Sequence, residues 1–407
     1  YSGLSGDLLF WIAIDTLFLT IVKNFNELQI VSLTTVSLIT CILLQVPLLK
    51  IIKKIGNTNS VRIGSLLLLV SSLLLTFGQN YIIIVLGKIF YEIAFTFQNM
   101  ANAVLKNNLE LQNRNDEYIK IKTKANTIYA IVTMIISFVA SIMFNLNNYL
   151  PMFGCIAFCL ICFLLSFYIV DYSKYNKIKE EIKIKSKTKI NYTKLIIVLI
   201  LSYGLFYPIV NSGQSNGKLF IQQELLLNFD VEITALIIGA ILCISRIIRV
   251  ISNIAFNKIH SKYKEKVGVI LPILLSISII LMIIGSFIRN STMLKFGIMS
   301  LGYIIILFVR DPFKVYMQDL ALRNVGKAKQ QSLLTTMELS RKIGRAIMSF
   351  SFIIILMNNP MITVIAILFI LSIIEILVSI KLYKLVVNGK EVKSEESSNR
   401  NCEQTLC

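Results

Sequence analysis

The sequence predicts an all-α integral membrane protein with twelve transmembrane helices arranged as two six-helix halves. Three observations carry that expectation. Of the 407 residues, 56% are apolar and only 15% charged, against about 45–50% and 25% in an ordinary soluble domain. The apolar residues come in blocks of about 20, the length needed to cross a hydrocarbon core of roughly 30 Å. The basic residues gather in alternate links between those blocks, which is the pattern of cytoplasmic loops.

Taken in order, the predicted spans are 7–22, 29–49, 63–79, 81–103, 126–145 and 150–170, then 195–213, 232–256, 267–287, 294–321, 333–357 and 361–384. The first block runs on into a helical hairpin, so no cleavable signal peptide is expected. The break between the two sets carries Lys174, Lys177, Lys179, Lys183, Lys185, Lys187, Lys189 and Lys194 against Asp171, Glu180 and Glu181. It divides the chain into an N-terminal half, 1–172, a basic linker, 173–194, and a C-terminal half, 195–387. The remaining tail, 388–407, is too polar to pack and is expected to be disordered.

The links fix an orientation. Lys50, Lys53, Lys54 and Arg62 lie in the 2–3 link, and Lys106, Arg114, Lys120, Lys122 and Lys124 in the 4–5 link. Lys258, Lys262, Lys264 and Lys266 lie in the 8–9 link, with Arg323, Lys327 and Lys329 in the 10–11 link. The alternate links are nearly bare, holding Lys23, Lys218, Arg289 and the nearby Lys295. Both termini are therefore expected in the cytoplasm, in a multi-pass protein of the cell membrane. The halves also echo one another: Ser137-Phe138 and Ser349-Phe350 occupy equivalent places, and Pro151 and Pro360 open the sixth and twelfth spans.

Several function classes drop out. The net charge of +19 would suit nucleic acid, but its confinement to short links argues for membrane orientation instead. Of the seven cysteines, Cys41, Cys155, Cys159, Cys162 and Cys243 sit inside apolar blocks, with Cys402 and Cys407 in the tail. The single CxxC has no second pair and no nearby histidine, so neither a metal site nor a disulfide framework is expected. His260, the only histidine, lies in a basic link. No cofactor is implied, and without acids clustered at a membrane face a lipid-modifying enzyme is disfavoured.

The 2–3 link reads Leu49-Lys50-Ile51-Ile52-Lys53-Lys54-Ile55-Gly56-Asn57. With the twelve-span plan and the long basic central loop, it resembles the Gly-x-Leu-Ala-Asp-Arg-x-Gly-Arg link of the major facilitator superfamily. Lys54 and Gly56 fit, whereas Lys53 replaces the family's acid. Arg310-Asp311-Pro312, followed by Tyr316 and Gln318, resembles the tenth helix of several bacterial members. The Gly/Pro-rich fifth-helix motif of drug–proton antiporters is absent from 125–144. The resemblance implies a transporter whose spans 1, 4, 7 and 10 line a central cavity.

Charges inside spans are costly, so their positions point to function. Asp15 stands alone in the first span, where an acid can carry a proton. Lys88 and Glu92 in the fourth are four apart, on one face, as a structural pair or one that substrate opens. The eighth span carries Arg246 and Arg249, and the tenth Arg310, Asp311 and Lys314 around Pro312, which is expected to break the helix. Tyr203, Tyr207, Asn211 and Gln214 form a polar stripe in the seventh span, readable as a contact surface for a sugar- or peptide-like substrate. Glu338, Arg341 and Lys342 near the cytoplasmic end of the eleventh are expected to form a gate or structural network with Lys53, Lys54 and Gly56. Glu375 in the twelfth is expected near the cytoplasmic interface.

These expectations converge on a monomeric secondary transporter in the lipid bilayer, moving a small molecule by alternating access. Without a nucleotide-binding motif, a gradient must drive it, and proton-coupled export is the first reading. Among mid-span groups, Lys88, Arg246, Arg310 and Lys314 exceed Asp15, Glu92 and Asp311 by one, which favours an anionic or zwitterionic substrate. The alternative is a sensor or accessory protein that keeps the fold without transport.

Overall fold

The computed structural model describes residues 7–114, 117–172, 193–289, 291–324 and 327–405, with side chains described up to 388. Most of the 173–194 linker thus lies outside the described residues. Thirteen α-helices account for nearly all of what is described, with no strand among those residues. They are α1 (Leu9–Leu17), α2 (Glu27–Ile55), α3 (Asn57–Phe77), α4 (Tyr81–Gln98), α5 (Met100–Leu111), α6 (Glu117–Leu146), α7 (Leu150–Ser166), α8 (Lys194–Leu226), α9 (Val231–Tyr263), α10 (Val267–Phe287), α11 (Thr292–Arg323), α12 (Lys327–Leu356) and α13 (Met361–Thr405). A π-helical turn, Phe18–Val22, extends α1, and a 3-10 turn, Lys264–Lys266, precedes α10. Because α4 and α5 together make the fourth span, thirteen helices give twelve crossings. Nine stretches among the described residues are long and apolar enough to cross a bilayer on those criteria alone. Leu9–Val22 and Leu150–Ser166 are shorter, and α12 carries Glu338, Arg341, Lys342 and Arg345 in its middle.

Local chemistry sets the helix ends. Asn26 caps α2 by accepting from the Gln29 amide at 2.9 Å, while the Gln29 side chain accepts from the Asn26 amide at 3.0 Å, a reciprocal box that satisfies two otherwise orphaned donors. Pro151 sits in the first turn of α7, where its missing N–H costs nothing. Lys23 closes the far end of α3, its Nζ donating to the carbonyls of Thr76 and Gly78 at 2.8 Å each.

The chain forms two compact units. Unit 1 comprises Tyr1–Ser186, Gln222–Ile247 and Ser349–Met357; unit 2 comprises Lys187–Ile221, Ile248–Met348 and Asn358–Cys407. In unit 1, α3 packs on α4 and α7, α2 on α4, and α1 on α6 and α7. Small residues allow the close approach of α3 and α4: Ser71 Oγ donates to the Gly87 carbonyl at 2.7 Å, the usual route to helix association without a hydrophobic driving force. The later segments of unit 1 are bonded to the earlier ones. Gln222 Nε2 donates to Thr20 Oγ1 at 3.1 Å, the hydroxyls of Thr35 and Ser349 lie 2.5 Å apart, and Asn145 Nδ2 donates to the Glu232 carbonyl at 3.0 Å. In unit 2, α10 is sandwiched between α11 and α13.

Three expectations change. The seventh crossing does not end at 213, because α8 runs through Pro208 to Leu226 and buries Lys218, assigned from sequence to a link. Pro312 does not break its helix: α11 continues from Thr292 to Arg323, with Phe313 stacked 3.6 Å from Phe206 of α8, packing that holds the segment despite one lost hydrogen bond. Where composition predicts a disordered tail, the backbone continues α13 as helix to Thr405. Glu375 is fully buried within unit 2.

Candidate functional site

Two clusters of charged and polar groups occupy the membrane-crossing helices, one in each unit. In unit 1 the cluster is built on α4. Lys88 Nζ lies 3.8 Å from Glu92 Oε1, with side chains 13% and 17% exposed. The four-residue spacing puts both on one face, and low exposure keeps them screened from water. Lys88 Nζ also sits 3.9 Å from the centre of the Tyr91 ring, close enough for a cation–π attraction. The Tyr91 hydroxyl donates to Asp7 Oδ1. Lys88, Tyr91, Glu92 and Asp7 therefore form one contact group, and Arg246 is half-buried on α9 in the same unit. Asp15 is half-buried on α1, its Oδ1 accepting from the Thr16 amide at 2.7 Å.

In unit 2 the cluster joins α8, α9, α11 and α12. Arg249 grips Asp311 with two nitrogens, Nε at 2.5 Å and a terminal nitrogen at 3.2 Å, and Asn253 Nδ2 adds a third donor at 3.3 Å. Arg310, adjacent to Asp311, turns elsewhere and donates to Gln214 Oε1 at 2.9 Å. Glu338 is the second hub: it accepts from the Tyr203 hydroxyl at 2.7 Å, pairs with Arg341 at 2.7 Å and faces Lys314 at 4.0 Å. The Tyr207 hydroxyl donates to the Arg310 carbonyl at 2.7 Å.

That arrangement corrects the reading of α8. Tyr203 and Tyr207 are buried, with rings 4.7 Å apart, so they serve the helix packing and are not a free contact surface; a buried tyrosine finds a partner for its hydroxyl. Asn211 and Gln214 remain partly exposed on the same helix. Glu338 and Arg341 belong to the unit 2 hub and Lys342 is half-buried one residue on, while Lys53 and Lys54 lie exposed in the last turn of α2 in unit 1. Gly56 makes the α2–α3 turn with φ 84°.

The sequence of residues 3–349 matches the family model described as Major Facilitator Superfamily. The chain belongs to the major facilitator superfamily. Solved structures agree on the fold. A bacterial homologue of the iron transporter ferroportin, in an inward-facing state, superposes with a TM-score of 0.69 at 14% identity, over 94% of this chain and 96% of that one. The nucleoside transporter NupG superposes with a TM-score of 0.68 at 14% identity, over 94% and 97%. The xylose transporter XylE from E. coli does so with 0.64 at 12%, over 94% and 93%. None of the curated proteins matches the chain in sequence. The chain is therefore a multi-pass membrane protein with the fold of small-molecule transporters.

Sequence reasoning missed two charged members of these clusters as site residues, along with Tyr91 and Asn253. Asp7 stands at the very edge of the first apolar block, and an acid at a span edge reads as interfacial; only its tyrosine partner on α4 reveals it. Arg249 was visible as an in-span charge, but its bond to Asp311 spans 62 positions, which no local pattern encodes.

Proposed function

We propose that this protein is a secondary active transporter that carries an anionic or zwitterionic small molecule across the cell membrane by alternating access, as proton-coupled export. The observation that carries the reading is the Lys88–Glu92 pair on α4, 3.8 Å apart, with Asp7 and Tyr91 beside it. An ion pair in a crossing helix is costly to keep unless something uses it. At 3.8 Å it is loose enough for a substrate carboxylate to take Lys88, or a proton to take Glu92.

In this reading Arg310, Asn211 and Gln214 supply further substrate contacts, Asp15 carries the coupling proton, and Glu338, Arg341 and Lys342 lock α12 to its neighbours during the cycle. The two six-helix halves, 1–172 and 195–387, rock about the substrate as a monomer with both termini in the cytoplasm. The solved relatives carry metal, nucleoside and sugar by their descriptions, so the family fold tolerates very different cargo. Charge balance is therefore the better guide to substrate class.

The test begins with a thermal-shift screen for substrate on the purified protein, followed by counterflow in proteoliposomes. Lys88→Met and Glu92→Gln should each slow exchange by roughly tenfold, the loss expected for a charge-assisted contact of about 1.5 kcal/mol. Asp15→Asn should abolish flux driven by a pH gradient while leaving exchange partly intact. Full gradient-driven flux in that variant would remove Asp15 from the coupling role. A folded protein that exchanges no ligand found in the screen would favour the sensor reading.

A further inference from the structure

Glu375 lies in the middle of α13 and is completely buried in unit 2. Its Oε1 accepts from Ser202 Oγ of α8 at 2.6 Å and from Ser379 Oγ, one turn along its own helix, at 2.9 Å. Its Oε2 is buried with no hydrogen-bond partner. One turn back, Ser372 shares the same face and meets Ser276 of α10 at 2.6 Å. The three α13 residues are thus a polar ladder inside an apolar three-helix contact.

The surroundings bring no neutralising charge. The helix α10 holds no titratable side chain from Val267 to Phe287. On α8 the nearest titratable neighbour is Tyr203, whose hydroxyl is given to Glu338. The 3-10 turn that also packs on α13 carries Lys264, Glu265 and Lys266, and Glu265 is taken by Arg323 at 3.6 Å and by Tyr316. On α13 itself the nearest bases, Lys381 and Lys384, are exposed. An ionised carboxylate here would keep one oxygen bare in low dielectric, whereas a neutral acid leaves only a single hydroxyl unsatisfied; the second is by far the smaller penalty. Adjacent α8 residues are held by carboxyls from two sides, Ser202 by Glu375 and Tyr203 by Glu338, on the helix that carries Asn211 and Gln214.

We propose that Glu375 is a proton-binding site, holding a neutral carboxylic acid between α8 and α13, and that its deprotonation is coupled to movement of α8. When the Oε2–H bond breaks, the proton passes to water and the carboxylate is left in a contact that cannot solvate it, so α8 must shift to admit solvent or a cation. Such a shift would displace the substrate-facing stretch of α8. That consequence for transport rests on the transporter reading; the protonation does not.

Infrared difference spectra of the purified full chain, alkaline minus mildly acidic, test the site directly. The wild type should lose a carboxylic-acid C=O band that Glu375→Gln lacks from the start. Ser202→Ala should move that band to higher wavenumber, because the carbonyl loses a donor. Identical difference spectra for wild type and Glu375→Gln would overturn the proposal, as would a band that sodium abolishes at constant acidic pH, which would make this a metal-cation site. For the coupling, a cysteine at Asn211 in a background without the native cysteines should react faster with a thiol reagent at alkaline pH. Because every thiol ionises as pH rises, the Glu375→Gln variant should keep only the acceleration that ionisation gives, and an acceleration equal to that of the wild type would overturn the link to α8. A protein with the band intact but no transport would sink the transporter reading and leave the proton site standing.

Discussion

At Asp311 a carboxylate inside a crossing helix is held by three donors, two from Arg249 and one from Asn253. The side chains remain 28% and 19% exposed, so the pair sits between the surface case, worth about 0–1 kcal/mol, and the fully desolvated one, where stranding a partner costs about 3–5 kcal/mol. Arg249→Gln should therefore destabilise the protein by on the order of 2 kcal/mol, read as a lower melting temperature. Adding Asp311→Asn should recover most of it, since no charge is then stranded; a double variant no better than the single one would show that the pair is not the source. Lys23 makes a smaller claim of the same kind. Its ammonium takes the last carbonyls of α3 and lies 5.3 Å from the Phe18 ring and 5.7 Å from Tyr149. Lys23→Met should cost about 1–2 kcal/mol through those carbonyls and the helix dipole. Asp311 and Arg249 were legible in the sequence as charges inside spans, but their pairing was not. Asp311 and Arg249 are on different helices, and Lys23 reads simply as a link residue until α3 is folded beside it.

Helix packing shows what patterns of residues encode and what they leave open. The close crossing of α8 and α12 in unit 2 is made by glycines: a Cβ on Gly344 would lie 2.4 Å from the Gly204 carbonyl oxygen, and Ser340 Oγ donates to the Ile200 carbonyl at 3.2 Å. Backbone cannot yield as a flexible side chain can, so Gly344→Ala should force the helices apart and cost about 1–3 kcal/mol. A melting temperature unchanged from wild type would refute that crossing. The α2–α3 turn is a second case. Gly56 was identifiable from its motif, and its φ of 84° explains the residue type. The motif's missing acid was visible too, as Lys53. What the motif could not reveal is that Asp171, after α7, is buried beside this turn and accepts from Asn57 at 3.2 Å and Asn107 at 3.3 Å. In unit 2 the matching link, Glu265-Lys266-Val267-Gly268, keeps its acid, which Tyr316 and Arg323 hold. The twelve crossings followed from block length alone. The α8 overrun to Leu226 did not, because Lys218 reads as a link residue until it is seen buried.

Across the whole molecule, apolar side chains face outward in numbers that water would not tolerate: Leu43 and Ile82 are 72% exposed, Ile254 73% and Leu377 63%. A large exposed apolar surface marks contact with something apolar, and helices that satisfy their own backbone bonds are the form that can sit in lipid. The fold class was legible for this reason, since lipid replaces the polar face a soluble helix needs. Orientation rests on a separate physical signal, the crowding of Lys and Arg into alternate links, and it can be tested apart from transport. In a background without the native cysteines, single cysteines at Asn147, Ser291 and Asn358, all exposed in the sparsely charged links, should react with an impermeant thiol reagent applied to intact cells. Cysteines at Asn59 and Gln112, equally exposed but beside Lys53, Lys54 and Arg114, should react only after the membrane is opened. Because every link alternates, one misplaced crossing would reverse all the links after it, so the pattern of five probes reports both orientation and crossing number. Labelling of Asn59 from outside together with protection of Asn147 would invert the orientation, and labelling that failed to alternate would break the twelve-crossing plan itself.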